Sequence, residues 1–335
     1  MLNDRRRRVL TALVEEYIAS ATPVGSKTLV NRYELGCSPA TVRNELSILE
    51  ETGFVVQPHV SAGRLPTDTG YRSFVDVLIE SGMTGGDAEE MRSELHHRAG
   101  EVDELMRETS LALTQLTNCL AVVLAPSITL ARVKRVDLLS MASRRALFVL
   151  ITESGQVVNR SVELPSETAP ERLAEVERSL NAAFDGKRAA DIRPLRGALE
   201  GASEDSGLVA LVVDQILDAL DEADRDRLYH VGVPALLAQP EFQRAGQARP
   251  LIEFLEDGIA VLETLSEALG STEISVRIGH ENRRAELGNV SIVTTNYGAA
   301  GADGIIGVIG PTRMDYQRAM AAVRMIADGL SEALS

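Results

Sequence analysis

CSPATVRNELSILEETGFVVQPHVSAGRLPTDTGYR, residues Cys37–Arg72, decides how the N-terminal part of this chain folds. Ser38-Pro39 opens a helix, with Ser at the N-cap and Pro at the first helical position, where its missing N–H costs no hydrogen bond. At about 100° per residue, Val42, Leu46 and Leu49 share one face. Ala40, Asn44, Ser47 and Glu51 lie opposite them, with Thr41 and Arg43 on the flanks. Gly53 ends the helix, and Phe54-Val55-Val56 reads as a short apolar strand. Pro58, Gly63 and Pro66 punctuate the next stretch, so His59-Val60-Ser61-Ala62-Gly63-Arg64 is a loop. Thr67, with Asp68 in the first turn, then opens a helix carrying Tyr71, Phe74, Val75 and Leu78. A helix with a free polar face, followed by a small hairpin, is the layout of a winged helix-turn-helix DNA reader.

The residues upstream agree with that layout. Leu10, Leu13, Val14, Tyr17 and Ile18 form one apolar helical stripe. Thr22-Pro23-Val24-Gly25 breaks it, and Ser26 reads as the N-cap of a second short helix that buries Leu29, Val30 and Tyr33 and stops near Gly36. On the polar face of the third helix, Asn44 suits a bidentate pair with adenine and Arg43 one with guanine. Thr41 and Ser47 adapt to several base edges or to phosphate, and small Ala40 permits close approach to a thymine methyl. Arg64, with His59, is placed on the wing to meet phosphate or the adjacent minor groove. Arg5, Arg6, Arg7 and Arg8 cluster at the start of the first helix, as a contact to the phosphate backbone or simply as a solvated helix start.

Net charge is −15, which at first sight argues against nucleic acid. Its distribution reverses that reading: residues 1–66 hold eight Lys/Arg against seven Asp/Glu, leaving about −16 for the rest. A near-neutral head on an acidic body can bind phosphate on one face while the body discourages non-specific association. At 335 residues and 44% hydrophobic, the chain has material for two or three packed domains. Cys37 and Cys119 are far apart and suggest neither a disulfide framework nor a metal cluster, as in a reducing cytoplasm. No apolar run approaches the roughly 20 residues that span a bilayer, and Glu15 and Glu16 interrupt the segment behind Arg5–Arg8, so no membrane partner and no signal peptide are expected.

Beyond the reader, Ser81-Gly82-Met83-Thr84-Gly85-Gly86-Asp87 reads as a flexible linker that lets the head reorient. Leu95, Ala99, Val102, Met106, Thr109, Leu113, Leu116 and Leu120 then repeat four and three residues apart, either a dimer seam or a helix packed on the following sheet. Strands are expected at Leu120–Leu124, Val133–Leu139, Ala146–Thr152 and Gln156–Leu164, followed by helices at Pro170–Phe184, Leu208–Leu220 and Ile252–Leu269. Leu228–Leu237 is ambiguous. Strands return at Ile274–Ile278, Val290–Thr295 and Ile305–Ile309 before a last helix from Asp315 to Leu334. The pattern indicates an α+β multidomain protein.

Several features tempt towards enzymology. Gly298, Gly301, Gly304, Gly307 and Gly310 match neither GxGxxG nor a P-loop and are expected to make turns around the Ile305–Ile309 strand. His96 and His97 are neighbours that point about 100° apart on a helix, a poor start for a metal site. Cys37 has no neighbouring His or CxxC partner. No catalytic residue, metal or cofactor is expected.

The run Ala40-Thr41-Val42-Arg43-Asn44-Glu45-Leu46, with Gln57-Pro58-His59 and Ser61-Ala62-Gly63-Arg64-Leu65-Pro66-Thr67-Asp68, resembles the bacterial heat-inducible transcription repressor family HrcA. A second likeness lies at Gly307-Val308-Ile309-Gly310-Pro311-Thr312-Arg313-Met314-Asp315-Tyr316, and a third at Gly279-His280-Glu281-Asn282, where His280 stands in place of an acidic residue. The resemblance spans nearly the whole chain, although 165–250 carries no recognised motif. It implies a winged-helix DNA-binding domain over 1–80, a linker over 81–87, a GAF-like domain from 88–164 and 251–335, and an inserted dimerisation domain over 165–250. It further implies a cytoplasmic homodimeric repressor that binds the inverted-repeat CIRCE operator of chaperone operons on double-stranded DNA and is kept active by the chaperonin. The alternative is a metabolite-responsive winged-helix regulator with a small effector in the GAF-like domain. An enzyme whose N-terminal helices serve assembly is the more distant reading.

Overall fold

Asn3 starts the fold: its side chain accepts a hydrogen bond from the Arg6 backbone N–H at 2.8 Å and caps α1 (Asp4–Ser20). The computed structural model describes residues 2–333 apart from 83–101, 127, 129–130, 154, 189–190, 203–205, 226, 244, 269–273 and 299–303. Helix α2 (Ser26–Arg32) begins at its expected cap, with Gly25 at the N-cap instead and Ser26 buried. Helix α3 (Pro39–Glu51) follows, then the ribbon of β1 (Val55–Val56) and β2 (Leu65–Pro66), and α4 (Asp68–Glu80). Val9, Leu10, Leu13, Leu29, Val42, Leu46, Leu49, Val55, Phe74 and Val75 form the core of this head. Val24 and Arg64 exchange backbone hydrogen bonds at 2.9 Å, so the α1–α2 turn and the β1–β2 ribbon lie against each other. Gly63 permits this, because a Cβ there would sit 2.5 Å from the Val24 backbone.

The body is built on an antiparallel five-stranded sheet in the order β7-β3-β10-β9-β8, from β3 (Leu120–Leu124), β7 (Leu228–Val231), β8 (Ser275–Ile278), β9 (Val290–Tyr297) and β10 (Gly304–Pro311). Its inner strands β3, β10 and β9 are buried on both faces, which is why β3 and β10 read as continuous apolar runs, while the edge strands β7 and β8 are partly exposed. Ala121, Val123, Ile306 and Val308 join the core that includes α5 (Val102–Thr117), α12 (Tyr316–Ala333) and the head. Leu120, Val122, Ile305 and Ile309 face the other way, onto the layer of α9 (Val233–Leu237), α10 (Ala245–Glu256) and α11 (Gly258–Ala268). Gly304, Gly307 and Gly310 lie within β10 rather than in turns around it. Gly298, at φ 115°, does follow β9, and Gly301 is outside the described residues.

Strands β4 (Val133–Ala142), β5 (Arg145–Thr152) and β6 (Val157–Glu163) do not join that sheet. They form a separate antiparallel meander, covered on one face by α6 (Pro170–Phe184), α7 (Ile192–Ala202) and α8 (Ser206–Arg225) around Val136, Phe148, Leu150, Leu180, Val212 and Ile216. The packing therefore places the interruption at about 128–223, between β3 and β7, which are neighbours in the large sheet. The expected range of 165–250 cut β4–β6 away from the helices that cover them and took in α9 and α10, which belong to the body. Three local expectations also changed. Helix α7 was not foreseen, Leu228–Leu237 contains both a strand and a helix, and the stretch expected as one helix is α10 and α11 meeting at Asp257.

The described part of the heptad-like pattern packs inward: Met106, Thr109 and Leu113 are buried on α5, and Leu120 lies in β3. Leu95, Ala99, His96, His97 and most of the expected 81–87 linker lie outside the described residues. Among the described residues no helix is long and apolar enough to cross a membrane.

Candidate nucleic-acid interface

Helix α3 is secured at its start by Ser38, whose Oγ accepts from the Thr41 N–H at 3.2 Å and lies 3.0 Å from the Thr41 hydroxyl. Its inner face is buried through Val42, Leu46 and Leu49. Glu45 is buried beside them and accepts from Arg6 Nε at 2.9 Å, tying α1 to α3. The outer face presents Ala40, Arg43 and Asn44 to solvent, and among the described residues no hydrogen bond or ion pair holds the side chains of Arg43 and Asn44. Ser47 is half-buried and donates to the Arg43 carbonyl at 3.1 Å, while Thr41 is engaged with the cap. The free outer face over the first turns of α3 is thus narrower than the polar residues alone suggested: Ala40, Arg43 and Asn44.

The loop between β1 and β2, the expected wing, is braced at several points. Gln57 Nε2 donates to the carbonyls of Val60 and Ala62 at 3.0 and 2.8 Å, and the Ala62 N–H closes a turn onto the His59 carbonyl at 2.8 Å. The Gln57 N–H in turn reaches Glu50 Oε1 at 3.2 Å. Arg64, expected to reach outward, is only 14% exposed and turns onto Glu50. What the wing presents at its tip is His59 and Val60, the latter 99% exposed. Sequence reasoning passed over Gln57, Glu50 and Val60. The one available signal was an aliphatic residue with no strand partner inside a Pro- and Gly-bounded loop.

The arginines of α1 divide in the same way. Arg5 is exposed, 4.0 Å from Glu45, and Arg7 is exposed, 4.0 Å from Asp4. Arg6 is held by Glu45, and Arg8 Nη2 donates to the Glu34 carbonyl at 2.6 Å. Arg5, Arg7 and Arg8 are exposed, and Arg6 alone is half-buried.

The second half of the opening motif faces elsewhere. Asp68 and Arg72, on α4, meet His280 and Glu281 of the body, and Tyr71 packs against Tyr316 with ring centroids 5.8 Å apart. Asn282, next in that segment, is buried and donates to the carbonyls of Gly279, Leu287 and Val290. Enzymatic chemistry finds no foothold at the buried thiol: burial pushes Cys119 up to about 11, far from a reactive thiolate. Among the described residues no group of three or more His, Cys, Asp or Glu is placed to hold a metal ion.

Residues 103–320 match the family model described as the HrcA protein C terminal domain. Over its whole length the chain is 41% identical to the heat-inducible transcription repressor HrcA of Streptomyces avermitilis, covering 99% of that protein. It is 40% identical to the HrcA of Streptomyces albus G and 37% identical to that of Symbiobacterium thermophilum, covering 99% and 98% of them and 100% and 99% of this chain.

The chain belongs to the HrcA family.

HrcA proteins are heat-inducible transcription repressors, and transcription repression in the heat-shock response, not catalysis, is the activity of this chain. A crystal structure described only as that of a hypothetical protein superposes at a TM-score of 0.70 with 24% identity, covering 100% of this chain and 99% of its own, so the fold recurs in a solved structure. The fold gives the C-terminal motif a place: Gly307–Pro311 is the second half of the central strand β10, and Arg313 and Tyr316 meet the head.

Proposed function

We propose that the chain represses transcription by binding an inverted-repeat operator as a homodimer, with α3 of each head in one major-groove half-site. The observation that carries this is the outer face of α3: Ala40, Arg43 and Asn44 are exposed on a helix whose other face is fixed in the core, beside a braced wing. Arg43 and Asn44 supply base-edge hydrogen bonds, and Thr41 and Ser47 line the flanks. His59 and Val60 lie along the adjacent groove, and Arg5 and Arg7 meet phosphate. In this reading Arg6, Arg8 and Arg64 act indirectly, by holding the surfaces in place.

Dimerisation is assigned to the inserted unit. The face of its sheet away from α6 and α8 carries Leu139, Met141 and Val157, each at least half exposed. Three large apolar side chains on one small sheet face suit a self-complementary contact about a two-fold axis. On the family resemblance the operator is the CIRCE element of chaperone operons and the chaperonin maintains the active repressor. A small-effector role for the body has less support, because the sheet is packed with side chains on both faces. A gel-shift comparison of the CIRCE repeat with a scrambled duplex, with stoichiometry measured and chaperonin added or withheld, tests the proposal. Two protomers per repeat and selective retention are expected.

A further inference from the structure

Asp68 and Arg72 are one helical turn apart on α4, and both point at the segment Gly279-His280-Glu281 of the body. Asp68 Oδ2 accepts from the His280 backbone N–H at 2.9 Å and lies 2.7 Å from its Nδ1. Arg72 donates to both carboxylate oxygens of Glu281 and, at 2.6 Å, to the Val276 carbonyl at the end of the sheet. Gly279, at φ +51°, lies so close that a Cβ would collide with the Asp68 carboxylate. On the other side of the contact Arg313 donates to the Ile18 carbonyl of α1 at 2.8 Å while Glu241 holds its Nε at 2.7 Å. Tyr71 and Tyr316 fill the space between. Among the described residues the buried hydroxyl of Tyr71 finds no hydrogen-bond partner there, so docking carries an uncompensated polar group.

None of these residues covers the reading face, since Ala40, Arg43 and Asn44 remain exposed with the head docked. Docking is therefore not an occluding contact. We infer that Asp68, Arg72, His280, Glu281 and Arg313 form a positioning latch that fixes each DNA-binding head at one orientation on the body, so that the two heads of a dimer meet both half-sites of an inverted repeat together. The inference rests on the operator-reading role of α3 proposed above. Its physical basis is preorganisation: a head held in one orientation loses less freedom on binding the second half-site, which raises the effective concentration of that second contact.

The test uses the full-length protein, with Arg72→Gln and Glu281→Gln made separately, and two duplexes, one carrying the inverted repeat and one a single half-site. Both variants are expected to bind the repeat at least fivefold more weakly while half-site affinity stays within twofold of wild type. The two substitutions change charge in opposite directions. A merely coulombic effect on DNA makes Arg72→Gln weaker and Glu281→Gln tighter, whereas loss of the latch weakens both. Should Arg72→Gln fail to fold, Glu281→Gln alone carries the same expectation. Wild-type affinity for the repeat in Glu281→Gln, tighter binding by it, or an equal loss on both duplexes overturns the latch. A wild-type protein that does not distinguish the repeat from scrambled DNA overturns the reading beneath it, and the latch with it.

Discussion

Arg64 and Glu50 tie the wing to the helix it flanks: Nε and Nη2 of Arg64 both end on Glu50 Oε2, at 3.1 and 2.9 Å. Glu50 lies in the last turn of α3, and its second oxygen holds the Gln57 N–H, so one carboxylate ties both ends of the β1–β2 loop to α3. If Arg64 serves as a brace, Arg64→Ala and Glu50→Ala both loosen the wing and weaken DNA binding. Each is expected to cost roughly 0.5–1.5 kcal/mol of head stability. If Arg64 were instead a phosphate contact restrained by Glu50, Glu50→Ala would free it and tighten binding. Anisotropy titrations of the two variants separate the cases by sign.

Arg5 and Arg6 are neighbours with different duties. Arg5 is exposed, so Arg5→Ala is expected to leave thermal stability unchanged and reduce the slope of log affinity against log salt by about one phosphate contact. Arg6 is bound to buried Glu45, and Arg6→Ala leaves that carboxylate without its nearest partner. Its expected signature is a loss of roughly 1–2 kcal/mol in stability with the salt slope unchanged. Chemical denaturation and salt-dependent binding of both variants check the contrast.

Alkaline pH should destabilise the fold before it affects the reading face. Burial raises Tyr71, Tyr316 and Tyr297 above their ordinary value of 10.0 and Cys119 from 9.0 to about 11. These groups are neutral when protonated, and the unfolded chain loses its protons at lower pH than the folded one. Their contribution to stability is thus complete below about pH 9 and is lost as pH rises through the folded values. Urea midpoints measured from pH 7 to 11 are expected to be flat at first and then to fall. A midpoint rising above pH 9 would remove this assignment. In the native state at neutral pH, Cys119 is expected to resist alkylation until the protein unfolds.

Met141→Glu places a charge in the apolar face of the inserted sheet, where Met141 is exposed. If that face joins two protomers, sedimentation should show a shift towards monomer, and affinity for an inverted repeat should drop at least tenfold while a single half-site binds as before. An unchanged dimer would place the contact elsewhere.

How much of this was legible in the sequence depends on how local each feature is. Ser38-Pro39 and the spacing of Val42, Leu46 and Leu49 set the start and the inner face of α3 because a cap and a helical stripe are decided within one or two turns. The inserted unit was misplaced because alternation in β4–β6 reveals strands but not which sheet they join. The pairing of Leu124 with Leu228 that closes the body around the insertion links residues distant along the chain. Arg64 read as an outward charge because only the folded wing brings Glu50, 14 positions earlier, onto it. Asp68 and Arg72 looked like part of a DNA motif, and their partners lie 212 and 209 positions away. Sequence motifs mark which residues matter here, while the fold decides what each one touches.

Titration of the full chain with a labelled CIRCE repeat and with a scrambled duplex, each repeated with Asn44→Ala, bears most directly on α3 as the reader of bases. The wild type is expected to prefer the repeat by on the order of a thousandfold or more. Asn44→Ala should lose about 10- to 100-fold on the repeat and keep its affinity for scrambled DNA. Equal binding of the wild type to both duplexes, or an equal loss on both for Asn44→Ala, would contradict direct readout by this helix.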